Sequence, residues 1–117
     1  MAQTKFMVLQ KVQDMMEYGY PALDQFPKAQ KFSLAQDIRQ CMNQLLALTI
    51  TEEKKYSKRT TIEYMDIENE KLQTYIRVAM NLGYLSRHRY AVWSDFLVEI
   101  GKMIGGLLKS VSGRPQS

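Results

Sequence analysis

One alternation constrains this chain more than any other feature. Tyr90, Trp93, Leu97, Ile100, Ile104, Leu107 and Val111 follow one another at steps of three and four residues. At 100° per residue that spacing puts them all on one side of a helix. The result is a coiled-coil-like seam, and a seam needs neighbouring helices to cover it.

Three further segments carry helical periodicity. The first runs from about residue 3 to 24, with Phe6, Leu9, Val12, Met16 and Leu23 as its apolar stripe. Pro21 lies in its last turn, where a missing backbone donor predicts a kink or an early stop. Phe26-Pro27 then breaks the chain. The second segment spans 28–56, with Phe32, Ala35, Ile38, Met42, Leu45, Leu46 and Thr49 as its core face. The third spans 60–82, with Met65, Leu72, Ile76 and Ala79 facing inward. Thr60 or Thr61 is a candidate N-cap, the acidic early turns suit a positive helix N-terminus, and Gly83 is a stop. The fourth helix is expected over 86–111 with Ser86 as N-cap, and the tail 112–117 is expected to be disordered. No strand pattern competes. Four helices with short connections predict one all-α domain over residues 1–117, an antiparallel up-down-up-down four-helix bundle.

Several chemistries are excluded by residue type. With one histidine, His88, and one cysteine, Cys41, a single chain cannot assemble the usual bundle or zinc metal sites. Cys41 sits in a predicted helix interior and His88 in a predicted loop, so nothing supports a nucleophile pair. The run Gly101–Ser110 superficially resembles a phosphate loop, but its lysine is displaced and it lies inside a helix. No cofactor and no catalytic residue is expected. The single cysteine also rules out an internal disulfide. Without a signal-peptide pattern or an apolar run long enough to span a bilayer, the expectation is a cytoplasmic protein that does not enter membranes.

Charge is more informative than chemistry here. The net charge is +4, yet residues 60–70 hold Glu63, Asp66, Glu68 and Glu70 and no base, so the remainder is more basic than the sum suggests. In an up-down bundle alternate loops share an end. The first and third loops bring Lys28, Lys31, Arg87, His88 and Arg89, and the second loop and the termini bring Lys5, Lys54, Lys55, Lys58, Arg59, Lys109 and Arg114. Lys28, Lys31 and Arg39 fall within about 80° of one another on the second helix. Lys102 and Lys109 share an exposed face of the fourth. Such rows can meet phosphates without regard to sequence; a solvated helix face has the same composition. Gly101, Gly105 and Gly106 cost the fourth helix about 0.8–1 kcal/mol each relative to alanine. They form a small-residue notch for a close helix, either within the bundle or from another subunit.

Phe26-Pro27-Lys28, the helix around Leu72–Ala79, Tyr84-Leu85-Ser86 and above all Glu99-Ile100-Gly101-Lys102-Met103-Ile104-Gly105-Gly106 resemble a known four-helix-bundle family. That family holds the accessory variability determinant (Avd) of diversity-generating retroelements and the proteins encoded in ribosomal-RNA intervening sequences. The resemblance covers almost the whole chain and favours the Avd branch. It implies a barrel-like homopentamer with a basic surface. It further implies association with the retroelement's reverse transcriptase and with RNA or DNA during mutagenic reverse transcription. Arg77 keeps a basic position of the third helix. Gln73 stands where the family often has arginine, and Leu107 where it often has an aromatic. The alternative is a structural bundle of the intervening-sequence type with no retroelement role.

Overall fold

The computed structural model describes the backbone of residues 2–54 and 58–112 and the side chains of 7–54 and 58–111. It contains four helices: α1 (Ala2–Leu23), α2 (Leu34–Lys54), α3 (Arg59–Asn81) and α4 (Arg87–Ser112). There is no strand among the described residues. Each helix packs against the next, and α1 closes the ring against α4, while neither diagonal pair meets. The body measures 49 × 23 × 20 Å, close to the ~39 Å of a 26-residue helix plus its connections. The Phe26 and Tyr84 rings lie 6.1 Å apart. That contact puts the α1–α2 and α3–α4 connections at one end, as alternating helix directions require.

The ends of the helices are set by local chemistry. At the start of α4, Ser86 Oγ accepts a hydrogen bond from the Arg89 N–H at 3.1 Å, satisfying a donor that the first turn would otherwise leave open. At the end of α3, Gly83 adopts φ = 81°, a conformation that glycine reaches without a Cβ penalty. There the Tyr84 N–H bonds the Ala79 carbonyl and the Gly83 N–H bonds that of Met80, the double closure of a Schellman motif. The expected caps of α3 are corrected. Lys58 holds the N-cap position with no side-chain bond, Thr60 and Thr61 lie inside the helix, and the first turn has no acidic residue. Glu63 instead pairs with Arg59 one turn back, at 3.5 Å.

The seam of α4 is buried as its spacing demands: Trp93, Leu97, Ile100, Ile104, Leu107 and Val111 all face inward, with Tyr90 at the edge. It shares one core with Ile62, Met65, Leu72, Ile76 and Ala79 of α3 and Ala35, Ile38, Met42 and Leu45 of α2. Each large apolar side chain fully buried there stabilises the fold by about 1.5–3 kcal/mol. Two expectations about the core fail. On α1 the buried stripe is Val8, Val12, Met15, Gly19, Ala22 and Leu23, and Leu9 and Met16 sit one step round, half-buried at the surface. The helix is apolar on two faces, and the periodicity matches either. The side chain of Phe6 lies outside the described residues.

The second helix is also corrected. It does not run from residue 28: Lys28–Gln30 form a short 3-10 turn, residues 31–33 are turn, and α2 begins at Leu34. Phe32, expected in the core, is therefore outside the helix and 93% exposed. Its three-residue spacing to Ala35 carries no helical meaning across a turn. The expected end of this segment, at 55–56, lies outside the described residues, as do 113–117 of the expected disordered tail; Ser112 itself belongs to α4. Pro21 does not stop α1, which continues to Leu23; bonds from the amides of Asp24, Gln25 and Phe26 to carbonyls three residues back then turn the chain out.

Gly19, to which the periodicity assigned nothing, is the tightest point of the core. A Cβ built there would lie 2.7 Å from Trp93 Cζ2 and 3.1 Å from Met42 Sδ. The Trp93 indole fills the space that the glycine leaves, and its N–H donates to Met15 Sδ at 3.4 Å. Gly19 thus seats the largest side chain of the seam between α1, α2 and α4.

Candidate nucleic-acid interface

The shared end of the α1–α2 and α3–α4 connections gathers cationic side chains. Lys28 and Lys31 are exposed on the 3-10 turn and the residues after it, Arg87 and His88 are exposed at the start of α4, and Arg89 is half-buried beside them. Arg39 lies about 7.5 Å along α2 from its first residue, and Arg77 about 6 Å before the last residue of α3. Both fall in the same end of the bundle. Residues 25–36 and 82–94 contain no aspartate or glutamate; Asp24, Asp37 and Asp95 border them, and Asp37 is exposed in the first turn of α2, two residues from Arg39. Among the described residues none of Lys28, Lys31, Arg39, Arg77, Arg87 and Arg89 makes an ion pair. Their charge is directed to solvent, which is what a phosphate-binding surface requires.

The other sequence-predicted cations go elsewhere. Lys102 and Lys109 lie at least 15 residues further along α4 than Arg87, more than ~22 Å towards the opposite end. Lys102 stands 4.0 Å from Glu99. Lys54, Lys58 and Arg59 occupy the α2–α3 connection, where Arg59 is paired with Glu63 and Glu52 and Glu53 sit nearby in sequence; Lys55 lies outside the described residues. Both clusters therefore have carboxylates near them in sequence, but among the described residues only the second has a cation held in an ion pair, Arg59 with Glu63.

The glycine notch divides. A Cβ on Gly101 would stand 3.3 Å from Asn69 Nδ2, whereas at Gly105 and Gly106 no atom lies within 4 Å. Only Gly101 therefore serves contact within the bundle. It lets the buried Asn69 of α3 reach α4 and donate to the Leu97 carbonyl at 2.9 Å. Gly105 and Gly106 face outward with no described part of their own chain over them.

Two apolar surfaces escaped the sequence reading. Tyr64, Ile67, Lys71, Thr74, Val78 and Leu82 repeat the three-four alternation on α3, within about 80° of one another and opposite its core face. Tyr64, Ile67, Val78 and Leu82 are 40–56% exposed. The signal was present in the sequence, offset from the core stripe and interrupted by Lys71 and Thr74. The second is a groove between α1 and α2, lined by Leu9, Met16, Tyr20, Leu46 and Ile50 with Gln13 and Glu17 at its rim. These are the residues of α1 and α2 that the core did not take.

Nothing in this geometry prepares a nucleophile. The Cys41 thiol lies against Glu68, 3.2 Å from its main-chain carbonyl and 3.3 Å from its carboxylate. Burial, the bond to Glu68 and that residue's negative charge push its pKa up to about 12, so it stays protonated and unreactive at neutral pH. Among the described residues no cluster of three or more His, Cys, Asp or Glu could hold a metal. No helix among them is long and apolar enough to cross a membrane.

Comparison with known proteins adds one finding. The family model described as bAvd-like matches residues 6–111, nearly the whole chain. A search of curated proteins gave no match.

Proposed function

The chain belongs to the bAvd-like family, and from that premise we propose that it is a non-enzymatic accessory protein of a diversity-generating retroelement. In this reading it binds the reverse transcriptase and nucleic acid through basic surface and supports mutagenic copying without an active site of its own. The observation that carries the reading is the basic end formed by Lys28, Lys31, Arg87 and Arg89, with Arg39 and Arg77 beside it, none of them in an ion pair among the described residues. Polyanions bind such a surface by releasing condensed counterions, so affinity is high at low salt and falls as salt rises. Phosphate contacts carry no sequence information, so sequence preference is expected to be weak.

The protein acts as a closed ring of copies, five by family likeness. The outer stripe of α3 supports this: a heptad-spaced apolar face on a soluble helix is covered when another helix packs on it. The α1–α2 groove lies on the other side of the bundle, so stripe-into-groove contact is head-to-tail, the kind that generates rings. A purely structural oligomer of the intervening-sequence type would use the same stripe, and the basic end separates the two readings.

The test is fluorescence anisotropy with labelled RNA and DNA from low to moderate salt, together with capture of the purified reverse transcriptase. The full-length protein should bind with an affinity that drops steeply as salt rises. Lys28→Ala combined with Arg87→Ala and Arg89→Ala should flatten that slope, by about 0.7–0.9 per phosphate contact removed. Lys102→Ala with Lys109→Ala should change it little. A well-folded triple variant with unchanged affinity and slope would remove the basic end from the function.

A further inference from the structure

We propose that Phe32 is a stacking platform for an unpaired base, so that the basic end binds single-stranded nucleic acid in preference to duplex. The inference rests on the nucleic-acid reading above and specifies its substrate. Phe32 is 93% exposed, the most exposed of the large apolar side chains described. Its exposure does not come from a loose segment. The Gln30 N–H bonds the Pro27 carbonyl at 2.8 Å and the Ser33 N–H bonds that of Gln30. Ser33 Oγ bonds Gln30 Oε1 at 2.8 Å. Behind the turn, Phe26 is buried against the core and touches Tyr84 across the two connections. The phenyl ring is thus presented by a hydrogen-bonded turn anchored at Phe26, and the core takes none of it.

Its surroundings choose the ligand. Lys28 and Lys31 stand four and one residues before it, Arg87, His88 and Arg89 share its end, and residues 25–36 bring no carboxylate. An apolar protein partner would be met by a wider apolar patch such as the outer stripe of α3; the residues flanking Phe32 in sequence, Lys31 and Ser33, are cationic and polar. An aromatic face beside free cations is the arrangement that holds single strands, the cations following phosphates and the ring taking a base face of any identity. A duplex keeps its bases stacked on one another and offers the ring nothing.

The experiment compares the full-length protein with Phe32→Ala, Phe32→Trp and Lys28→Ala/Lys31→Ala. The probes are a labelled 20-nucleotide RNA, a DNA strand of the same sequence, and the DNA duplex. Phe32→Ala should weaken both single strands by about 5- to 150-fold, the range of one lost base stack. Duplex affinity and the salt slope should not move, because no charge is removed. Phe32→Trp should restore binding, with quenched emission from the new indole against the constant signal of buried Trp93. Lys28→Ala/Lys31→Ala should weaken all three probes. If Phe32→Ala changes single strand and duplex alike, or neither, while the lysine variant still weakens binding, stacking is wrong and the basic-end reading survives. Loss of reverse transcriptase capture alone in Phe32→Ala would also refute stacking and assign the ring to the protein partner. Failure of the unaltered protein to bind any of the three would refute both readings.

Discussion

Gly19→Ala should destabilise this protein, although the same change at Gly106 should stabilise it. Alanine is favoured over glycine in a helix interior by about 0.8–1 kcal/mol. Against that, the added methyl would lie 2.7 Å from Trp93 Cζ2, 3.0 Å from Cε2 and 3.1 Å from Met42 Sδ, where carbon contacts settle near ~3.5–4.0 Å. The indole cannot retreat, since it is fully buried and tied to Met15. Overpacking of this kind costs about 1–3 kcal/mol. The balance is a loss of about 1 kcal/mol, or a fall in Tm of about 4 °C for a chain of this length. Gly106→Ala, with no atom within 4 Å of its Cβ and an exposed position, should instead gain up to about 1 kcal/mol. Urea unfolding followed by Trp93 emission and far-ultraviolet circular dichroism, at one protein concentration, measures both. Trp93→Phe removes the ring atoms that collide, so the penalty of Gly19→Ala should shrink in that background, a coupling the double-mutant cycle isolates. If Gly19→Ala stabilises as much as Gly106→Ala, or its cost is unchanged in the Trp93→Phe background, the wedge argument is wrong.

Three further outcomes are expected. Ile67→Glu places a charge in the outer stripe of α3 and should lower the mass seen by light scattering towards the 13.6 kDa of one chain. Gly105→Leu should act on assembly without lowering the melting temperature of the bundle, because no described atom fills that space; a lower Tm at unchanged mass would place the notch inside the fold. The Cys41 thiol should react slowly with alkylating reagents at pH ~8 and rapidly on unfolding. Its folded pKa is raised from 9.0 to about 12, so its contribution to stability is complete below about pH 9 and is lost as pH rises towards 12. Cys41→Ala should remove that alkaline loss, and prompt labelling of the native protein would contradict it.

The helices were legible in the sequence wherever one face alone was apolar, as on α4, or where a stop had a backbone reason, as at Gly83. α1 was not legible in phase, because Leu9 and Met16 form as good a stripe as Val8, Val12 and Met15. What decides between them is the fit of Trp93 to Gly19, a contact across 74 residues that no local pattern contains. Phe32 was misread because a spacing was continued through a turn. The cations of the candidate site were legible as residue types. Their separation into two ends follows from helix lengths and directions together, which is why Lys102 and Lys109 could not be parted from Arg87 and Arg89 by composition alone.

The placement of Trp93 also makes the protein its own strain gauge. It is the single tryptophan of the chain, and from its place on α4 its ring packs against Met15 and Gly19 of α1. Its emission therefore reports the docking of α1 on α4, the contact that closes the ring of helices. A partner that binds the outer faces leaves that colour unchanged, whereas one that prises the bundle open must shift it to the red. One unmodified fluorophore can thus tell whether this protein works as a rigid block or is opened in use.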